Sequence, residues 1–227
     1  MMNSLETEPL KSLLERLHKS ARRELPRAAL GMVRLMGPAL FGRRVTSADH
    51  AKFGHNLFIA LEPEAGRFAY ATARAIGARH IVEFGTSLGI STLYLAAAVR
   101  DNIARNSGTG RVITTELDSS KCARARAHFE EAGLADLIEV REGDALETLR
   151  SLSDSVDMAL IDGWKEFYRD VLHIVEPKLR PGGVVLADNI NMFKKTLRPY
   201  VAEMQTSGRY ASQTLNLGSG LEYSVRI

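Results

Sequence analysis

Short apolar segments alternate with longer helical patterns from about residue 63 onward, and this alternation limits the possible folds more than any other feature of the sequence. The helical stretches are long enough for right-handed crossovers, which place helices on both faces of a parallel sheet. The pattern therefore predicts a doubly wound α/β fold. Five predicted parallel strands are apolar or β-branched and flanked by turn residues: His80 to Phe84, Arg111 to Glu116, Ile138 to Arg141, Val156 to Ile161 and Gly183 to Ala187.

The C-terminal part of the sequence adds a final helical pattern, near Phe193 to Gln205, and two further strand patterns. These strands, Tyr210 to Asn216 and Leu221 to Ile227, are separated by a Gly-Ser-Gly turn. Such a pair predicts an antiparallel edge on an otherwise parallel sheet. We therefore expect a Rossmann-like sheet of seven strands, mostly parallel, in a single α/β domain over residues 61–227.

The first 60 residues differ from the rest in charge. They carry ten basic and five acidic side chains, whereas the remaining 167 residues carry 20 and 22, within a total net charge of +3. Leucines at helical spacing between Leu5 and Glu24 predict an amphipathic helix, and a second patch, Ala28 to Phe41, is broken by Gly37-Pro38. We interpret residues 1–60 as a helical cap. A basic amphipathic segment can also contact anionic lipid or nucleic acid, but a solvated face over an apolar face is commoner.

Cysteine content and hydropathy exclude several classes of protein. Cys122 is the only cysteine, so one chain forms neither a disulfide nor a cysteine-based zinc or iron–sulfur site. No run of 18 apolar residues occurs, and the opening stretch lacks the apolar core of a signal peptide. We expect a cytoplasmic protein without a membrane or nucleic-acid partner.

A glycine-rich turn links the first predicted strand to the next helix, with the spacing E-x-G-x-x-x-G at Glu83, Gly85 and Gly89. Glycines allow close approach of the backbone to a ligand, and the following helix offers unpaired N–H groups near Ser91. The turn therefore suits a nucleotide-like ligand, although its glycines could also serve backbone geometry alone. The dinucleotide fingerprint G-x-G-x-x-G is absent, which counts against an NAD-dependent oxidoreductase.

Acidic residues also follow the second and third strands. Glu116 ends the second strand, where a parallel sheet of this kind places an acid against ribose hydroxyls. Asp144 follows the third strand, and it could accept a hydrogen bond from an adenine amino group or cap the next helix. These positions strengthen the hypothesis of a nucleoside-containing ligand.

The most informative cluster lies at the ends of the fourth and fifth strands. Asp162 follows the fourth strand, and Asp188 and Asn189 follow the fifth. These strands are neighbours in the order 3-2-1-4-5, so their ends can bring the three side chains together. Hard oxygen ligands with room for water suit Mg²⁺ or a similar divalent cation.

Lys165 follows Asp162 by three residues, at the start of a helix where the helix dipole disfavours a cation. A nearby divalent cation would favour the neutral amine, which can act as a general base. Trp164 could form a wall of the cofactor pocket or simply pack against the sheet.

Two segments carry a family resemblance: residues 156–165, V-D-M-A-L-I-D-G-W-K, and residues 179–189, L-R-P-G-G-V-V-L-A-D-N. The sequence resembles the class I S-adenosylmethionine-dependent methyltransferases, specifically the cation-dependent O-methyltransferases related to the catechol and caffeoyl-CoA enzymes. The similarity runs from about residue 66 to the C-terminus. It implies S-adenosylmethionine and Mg²⁺ as cofactors and a small-molecule acceptor with a hydroxyl group, such as a catechol or another vicinal diol.

The resemblance assigns roles to individual residues. It implies that Asp162, Asp188 and Asn189 bind the metal and that Lys165 is the catalytic base, and it extends the cofactor pocket to Leu61. The implied cofactor-binding residues are Glu83, Gly85, Gly89, Ser91, Glu116, Asp144, Ala145, Asp162 and Trp164.

The sequence departs from the catechol enzyme's pattern at two places. Gly163 replaces a histidine beside the cofactor, and Gln213 rather than Glu222 aligns with a substrate-contacting glutamate. The first 60 residues match no family pattern, and in this family that region shapes the acceptor pocket and a dimer contact, which implies a homodimer. Two other functions stay open: a metal-independent methyltransferase acting on a nucleoside, protein or carboxylate, and a binding module that docks on nucleic acid or membrane.

Overall fold

The computed structural model describes residues 3–24, 60–152 and 155–227. After a 3-10 turn at Ser4–Glu6, helix α1 covers residues 10–24. The further α-helices are α2 (Pro63–Ala75), α3 (Ile90–Asn106), α4 (Ser119–Glu131), α5 (Ala145–Thr148), α6 (Tyr168–Val175) and α7 (Lys194–Thr206). The strands are β1 (His80–Phe84), β2 (Arg111–Glu116), β3 (Ile138–Glu142), β4 (Val156–Ile161), β5 (Leu179–Ala187), β6 (Tyr210–Leu215) and β7 (Leu221–Arg226).

These strands form one seven-stranded sheet in the order β3-β2-β1-β4-β5-β7-β6. Strands β1 to β5 are parallel to one another, whereas β7 is antiparallel to both β5 and β6. The predicted strand order and the predicted antiparallel edge are both confirmed. Because the connections between the parallel strands are helical, the carboxyl ends of β1, β4 and β5 meet at one edge of the sheet.

Both faces of the sheet are covered by helices. In β4, Met158 and Leu160 belong to a hydrophobic cluster with side chains of α1 to α4. The alternate residues Ala159 and Ile161 belong to a second cluster with side chains of α5 to α7. Successive strand residues point to opposite faces, so a strand buried on both sides is apolar throughout. This explains why the central parallel strands are mostly apolar, whereas the edge strand β3 carries charged residues and is only partly buried.

Helix α1 packs on the first of these two clusters. Leu10, Leu13, Leu14 and Leu17 are at most 5% exposed and share a cluster with Leu93 of α3. The predicted amphipathic helix is thus confirmed over residues 10–24, with its apolar face buried in the core. The predicted helical patch from Ala28 to Phe41 lies outside the described residues. None of the described helices is long and apolar enough to cross a membrane.

The sequence pattern predicts one helix from Lys165 to Leu179 and another from Ala145 to Leu152. The first of these segments is divided into three in the structure. Helix α6 is flanked by 3-10 turns at Lys165–Phe167 and Glu176–Lys178. Pro177 lacks a backbone N–H and its ring crowds the preceding turn, so an α-helix does not continue through this position. The expected helix from Ala145 to Leu152 likewise consists of α5 and a 3-10 turn at Leu149–Ser151.

A charged network fastens α6 and the start of β6 to α7. The Glu203 carboxylate of α7 accepts hydrogen bonds from Arg169 and Arg209 at 2.8 Å and contacts His173 Nε2 at 2.7 Å. Burial opposes ionisation, but the bonds to His173, Arg169 and Arg209 outweigh it and lower the pKa of Glu203 to about 2.

We expect Glu203→Gln to lower the free energy of unfolding at pH 7 by about 1 kcal/mol, the upper end for exposed ion pairs, because several cations share one carboxylate. A carboxyl whose pKa is depressed by folding stabilises the fold above its unfolded value and loses that effect as the pH falls through its folded value. The difference from the unchanged protein should therefore shrink below pH 4.5. Urea unfolding at pH 7 and pH 3.5 measures both differences. Glu147→Gln, which removes an exposed partner of Arg150, is the matched control, and a difference that is constant with pH would contradict the assignment.

Candidate active site

The backbone ladder that joins β1, β4 and β5 continues one residue beyond the strands. The Asp162 N–H donates to Phe84 O at 2.9 Å, and the Asp188 N–H donates to Ile161 O at 3.1 Å. These two bonds place both aspartates at the carboxyl edge of the sheet, beside the glycine turn that follows β1. The structure thus brings together the residues that the sequence places at the ends of β4 and β5.

Lys165 lies against this pair of strand ends. Its Nζ is 3.3 Å from Asp162 Oδ1 and donates to the Tyr168 hydroxyl at 2.8 Å. The same hydroxyl donates to the backbone oxygen of Asp188 at 3.1 Å. The ring centroids of Tyr168 and Phe193 are 5.1 and 5.8 Å from Nζ. The amine is therefore held by four groups, and its side chain is only 12% exposed.

The carboxylates outnumber the positive charges at this edge. Burial raises the pKa of Asp162 above its usual value, although Lys165 opposes the shift. Burial and the neighbouring Asp162 raise the pKa of Asp188, and Glu62 at the start of α2 adds to both shifts. Burial is the main cause of both shifts and the neighbouring acids add to them, so a nearby positive charge would favour the ionised aspartates. The centre is therefore suited to a bound cation.

Asn189 completes the set of oxygen donors. Its φ of +64° lies in the left-handed region, which asparagine tolerates better than most residues. Its Nδ2 donates to Asp188 Oδ2 at 3.0 Å. The described residues contain no cluster of three or more histidine, cysteine, aspartate and glutamate side chains that would hold a metal ion. Two carboxylates and one amide are nevertheless hard oxygen donors, which fit a divalent cation that keeps some of its water.

The glycine turn is shaped first by packing within the protein. A Cβ on Gly85 (φ +105°) would lie 2.8 Å from the backbone oxygen of Asp162. A Cβ on Gly89 (φ +82°) would lie 2.4 Å from the ring of Phe129. Side chains are therefore excluded at both positions, because the turn is pressed against β4 on one side and α4 on the other.

Two buried polar atoms near the turn have no partner within the described residues. Glu83 is fully buried, and its Oε2 accepts hydrogen bonds from Thr92 and Thr114 at 2.5 and 2.6 Å. Burial raises the pKa of Glu83 to about 7. Its Oε1 and the Ser87 hydroxyl lack a partner at hydrogen-bond geometry within the described part of the chain. Because buried polar atoms are normally paired, the Ser87 hydroxyl fits a site for a polar ligand such as S-adenosylmethionine. Hydrogen bonding from Ser91 and the two threonines already favours the ionised Glu83 carboxyl.

Glu116 holds the turn from the adjacent strand. Its Oε2 accepts from the Ser87 N–H at 2.9 Å, and its Oε1 accepts from the Asp118 N–H at 3.0 Å. The remaining lone pairs of this carboxylate are available to a ligand beside the turn. Glu116 thus lies at the end of β2 beside the turn, and its role as a ribose-binding acid stays a prediction.

The remaining expected cofactor residues lie near the same edge. Asp144 caps α5 by accepting from the Leu146 N–H at 2.9 Å, which is the helix-capping role left open by the sequence. The others are placed as follows: Leu61 is buried before α2, Ser91 is buried in the first turn of α3, Ala145 is buried at the start of α5, and Trp164 precedes the 3-10 turn that contains Lys165.

The structure gives a physical reason for Gly163. A Cβ at this position would lie 2.5 Å from the ring of Phe84, at the end of the neighbouring strand β1. The Phe84 ring therefore fills the space that a larger residue at position 163 would need.

Glu222 and Gln213 lie on the antiparallel edge of the sheet. Glu222 is buried on β7 and accepts hydrogen bonds from Gln205 and Ser212, at 2.8 and 2.7 Å. Gln213 is exposed on β6. Tyr168 and Ser219 also contact the candidate site, and neither residue is predicted from the sequence. The spacing of three residues between Lys165 and Tyr168 on a helical segment is a signal that could have identified Tyr168.

The sheet order, with its antiparallel β7, and the site at the carboxyl edge define a Rossmann-like methyltransferase fold. A family model described as a methyltransferase domain matches residues 82–190. A catechol O-methyltransferase of Niastella koreensis is 31% identical over 154 residues, which cover 66% of this chain and 66% of that protein. A catechol O-methyltransferase of Mycobacterium tuberculosis is 36% identical over 134 residues, 58% of this chain and 57% of that protein. The chain thus spans about two thirds or less of these curated relatives.

A solved structure agrees with these matches. The O-methyltransferase from Bacillus cereus in complex with SAH has a TM-score of 0.66 and 26% sequence identity, covering 74% of this chain and 83% of that one. The chain belongs to the S-adenosylmethionine-dependent O-methyltransferase family of the catechol and caffeoyl-CoA type.

The contact between Phe84 and Gly163 can be tested by a double-mutant cycle. We expect Gly163→Ala to lower the free energy of unfolding by about 1–3 kcal/mol, because the added methyl group overpacks against the ring. In a Phe84→Leu background the cost should fall by roughly 0.5 kcal/mol or more. Gly183→Ala is crowded by Leu179 and backbone rather than by Phe84, so its cost should be the same in both backgrounds. Thermal or urea unfolding measures the cycle, and additive effects for the 84–163 pair would contradict the contact.

Proposed function

We propose that the protein transfers the methyl group of S-adenosylmethionine to a hydroxyl oxygen of a small molecule with a vicinal diol, such as a catechol, and that a divalent cation such as Mg²⁺ takes part. The observation that carries the proposal is the meeting of Asp162, Asp188, Asn189 and Lys165 at one edge of the sheet, beside the glycine turn. The names of the two catechol O-methyltransferase relatives support it.

The acceptor is proposed to be a small molecule rather than a nucleic acid. Glu62, Asp162 and Asp188 face one another closely enough to shift the pKa of the aspartates, so the centre carries several acids against one lysine. A phosphate backbone would be repelled there. The proposal includes a homodimer, which the resemblance implies, and a cytoplasmic location, which the single cysteine supports.

Asp162, Asp188 and Asn189 would hold the cation. When bound, the cation would supply a Lewis acid that favours the ionised form of the acceptor hydroxyl, which as a phenol has an ordinary pKa of about 10. Glu83, Ser87 and Glu116 would hold the cofactor, because they provide unpaired or partly paired polar atoms beside the turn.

Lys165 would take the proton of the acceptor hydroxyl, and its neighbours fix the direction in which it can do so. The single proton of the Tyr168 hydroxyl is donated to the Asp188 backbone oxygen, so the Tyr168 oxygen must accept from Lys165. A neutral amine has two N–H bonds and one lone pair. With N–H bonds directed to Tyr168 and Asp162, the lone pair is left for the proton of the substrate.

We expect Asp188→Ala to reduce methyl transfer to catechol by about 100-fold or more, because it removes a ligand of the proposed cation. Binding of S-adenosylmethionine should change by less than a few-fold, since the glycine turn is unaltered. A radiolabelled methyl-transfer assay with Mg²⁺ or EDTA measures the first effect, and calorimetry measures the second. Turnover that persists in EDTA and in Asp188→Ala would instead indicate a metal-independent methyltransferase with another acceptor.

The role of Tyr168 can be separated from general packing. We expect Lys165→Met to lower kcat by about 100-fold, and Tyr168→Phe by about 10-fold, with little change in KM for catechol. In the Lys165→Met background, Tyr168→Phe should have little further effect, because the two residues act as a unit.

The matched control is Tyr200→Phe. Tyr200 is fully buried against Tyr168, with ring centroids 5.6 Å apart, but its hydroxyl has no partner within the described residues. Steady-state kinetics should show kcat unchanged for Tyr200→Phe. A further loss of kcat on adding Tyr168→Phe to Lys165→Met would show that Tyr168 acts on something other than Lys165.

A further inference from the structure

The turn between β6 and β7 is fastened to the loop that follows β5. The Ile190 N–H donates to Gly220 O at 2.9 Å, and the Asn191 N–H donates to Ser219 O at 3.0 Å. Gly220 has a φ of +94°, and a Cβ there would lie 2.6 Å from the Asn191 backbone nitrogen. The turn is therefore held in close contact with the residues immediately after Asp188 and Asn189.

This contact brings the Ser219 hydroxyl to the two proposed metal ligands. Asn189 Nδ2 donates to Ser219 Oγ at 2.6 Å, and Ser219 Oγ donates to Asp188 Oδ1 at 3.3 Å. Asn189 Nδ2 also donates to Asp188 Oδ2 at 3.0 Å. The three side chains form a closed triangle in which each donor has an acceptor.

The triangle determines which end of the Asn189 amide faces away from Asp188. Both N–H bonds of Nδ2 are directed to acceptors, one on Asp188 and one on Ser219. The reversed amide would set Oδ1 against a carboxylate oxygen, so that two acceptors would face each other. The oxygen of Asn189 therefore takes no part in the triangle and stays available to a cation.

A second contact fixes Ser219 from the start of α2. Its backbone N–H donates to Glu62 Oε2 at 3.3 Å. The residue is thus held through its backbone N–H, its backbone oxygen and its hydroxyl. A hydroxyl with this little freedom can define the orientation of its neighbours.

We propose that Ser219 is a positioning residue of the metal site: its hydroxyl orients the Asn189 amide so that Oδ1 binds the cation, while its proton holds the Asp188 carboxylate. The inference rests on the proposed function, because it assumes that Asp162, Asp188 and Asn189 bind a divalent cation. Residues that orient metal ligands typically contribute 10-fold to 100-fold to metal affinity.

The test is the affinity of the whole 227-residue chain for Mn²⁺ alone, measured by calorimetry or by the electron paramagnetic resonance signal of free Mn²⁺. We expect Ser219→Ala to weaken binding by about 10-fold and Ser219→Thr, which retains the hydroxyl, to restore most of it. Asp188→Ala should abolish binding, which shows that the signal comes from this site.

Ser212→Ala is the matched control on the same hairpin. Ser212 donates to Glu222 at 2.7 Å and contacts Ser224, so its removal weakens the hairpin without touching the proposed ligands. Its Mn²⁺ affinity should equal that of the unchanged protein. Equal affinities for Ser219→Ala and the unchanged protein would overturn the role of Ser219 alone. No Mn²⁺ binding by the unchanged protein would overturn the metal site in the proposed function, and this inference with it.

Discussion

The site depends on the parallel ladder that joins β1, β4 and β5. Its last two backbone hydrogen bonds, from Asp162 to Phe84 and from Asp188 to Ile161, extend beyond the strands themselves. Backbone geometry therefore sets the distance between the two aspartates, and the packing of helices on both faces of the strands determines how deeply they are buried. Their side chains are held by the whole sheet rather than by a loop, which favours a site with little freedom.

The same arrangement has an electrostatic cost. Burial raises the pKa of both aspartates, and Lys165 is one positive charge among several acids. Buried charges without full compensation destabilise a fold, and they are found where a ligand supplies the missing charge. The burial of these acids therefore supports the proposed binding of a cation at this edge.

The fold and most of the candidate site could be predicted from the sequence because both follow from local pattern and topology. The runs at β1, β2 and β4 are mostly apolar and buried on both faces, so their limits are sharp. Any parallel sheet brings the carboxyl ends of its strands to one edge. Contacts between distant segments could not be predicted. Ser219 reaches Asn189 only after β7 pairs with β5, and Gly163 is explained only by the ring of Phe84 on a neighbouring strand.

The hydroxyl groups of Tyr168 and Ser219, which the sequence does not predict, share one hydrogen-bonding pattern: each donates to Asp188 and accepts from a second residue of the site. Tyr168 donates to the backbone oxygen of Asp188 and accepts from Lys165, while Ser219 donates to the side chain of Asp188 and accepts from Asn189. A hydroxyl has one proton. When that proton is donated to one neighbour, the hydroxyl oxygen can only accept a hydrogen bond from the other neighbour. Through these two hydroxyl groups, Asp188 orients both the Lys165 amine and the Asn189 amide. The bonds from Lys165 through Tyr168 end at the backbone oxygen of Asp188, whereas the bonds of Asn189 and Ser219 end at its carboxylate. A change of the Asp188 side chain therefore disturbs the hydrogen bonds of Asn189 and leaves those of Lys165 and Tyr168 in place.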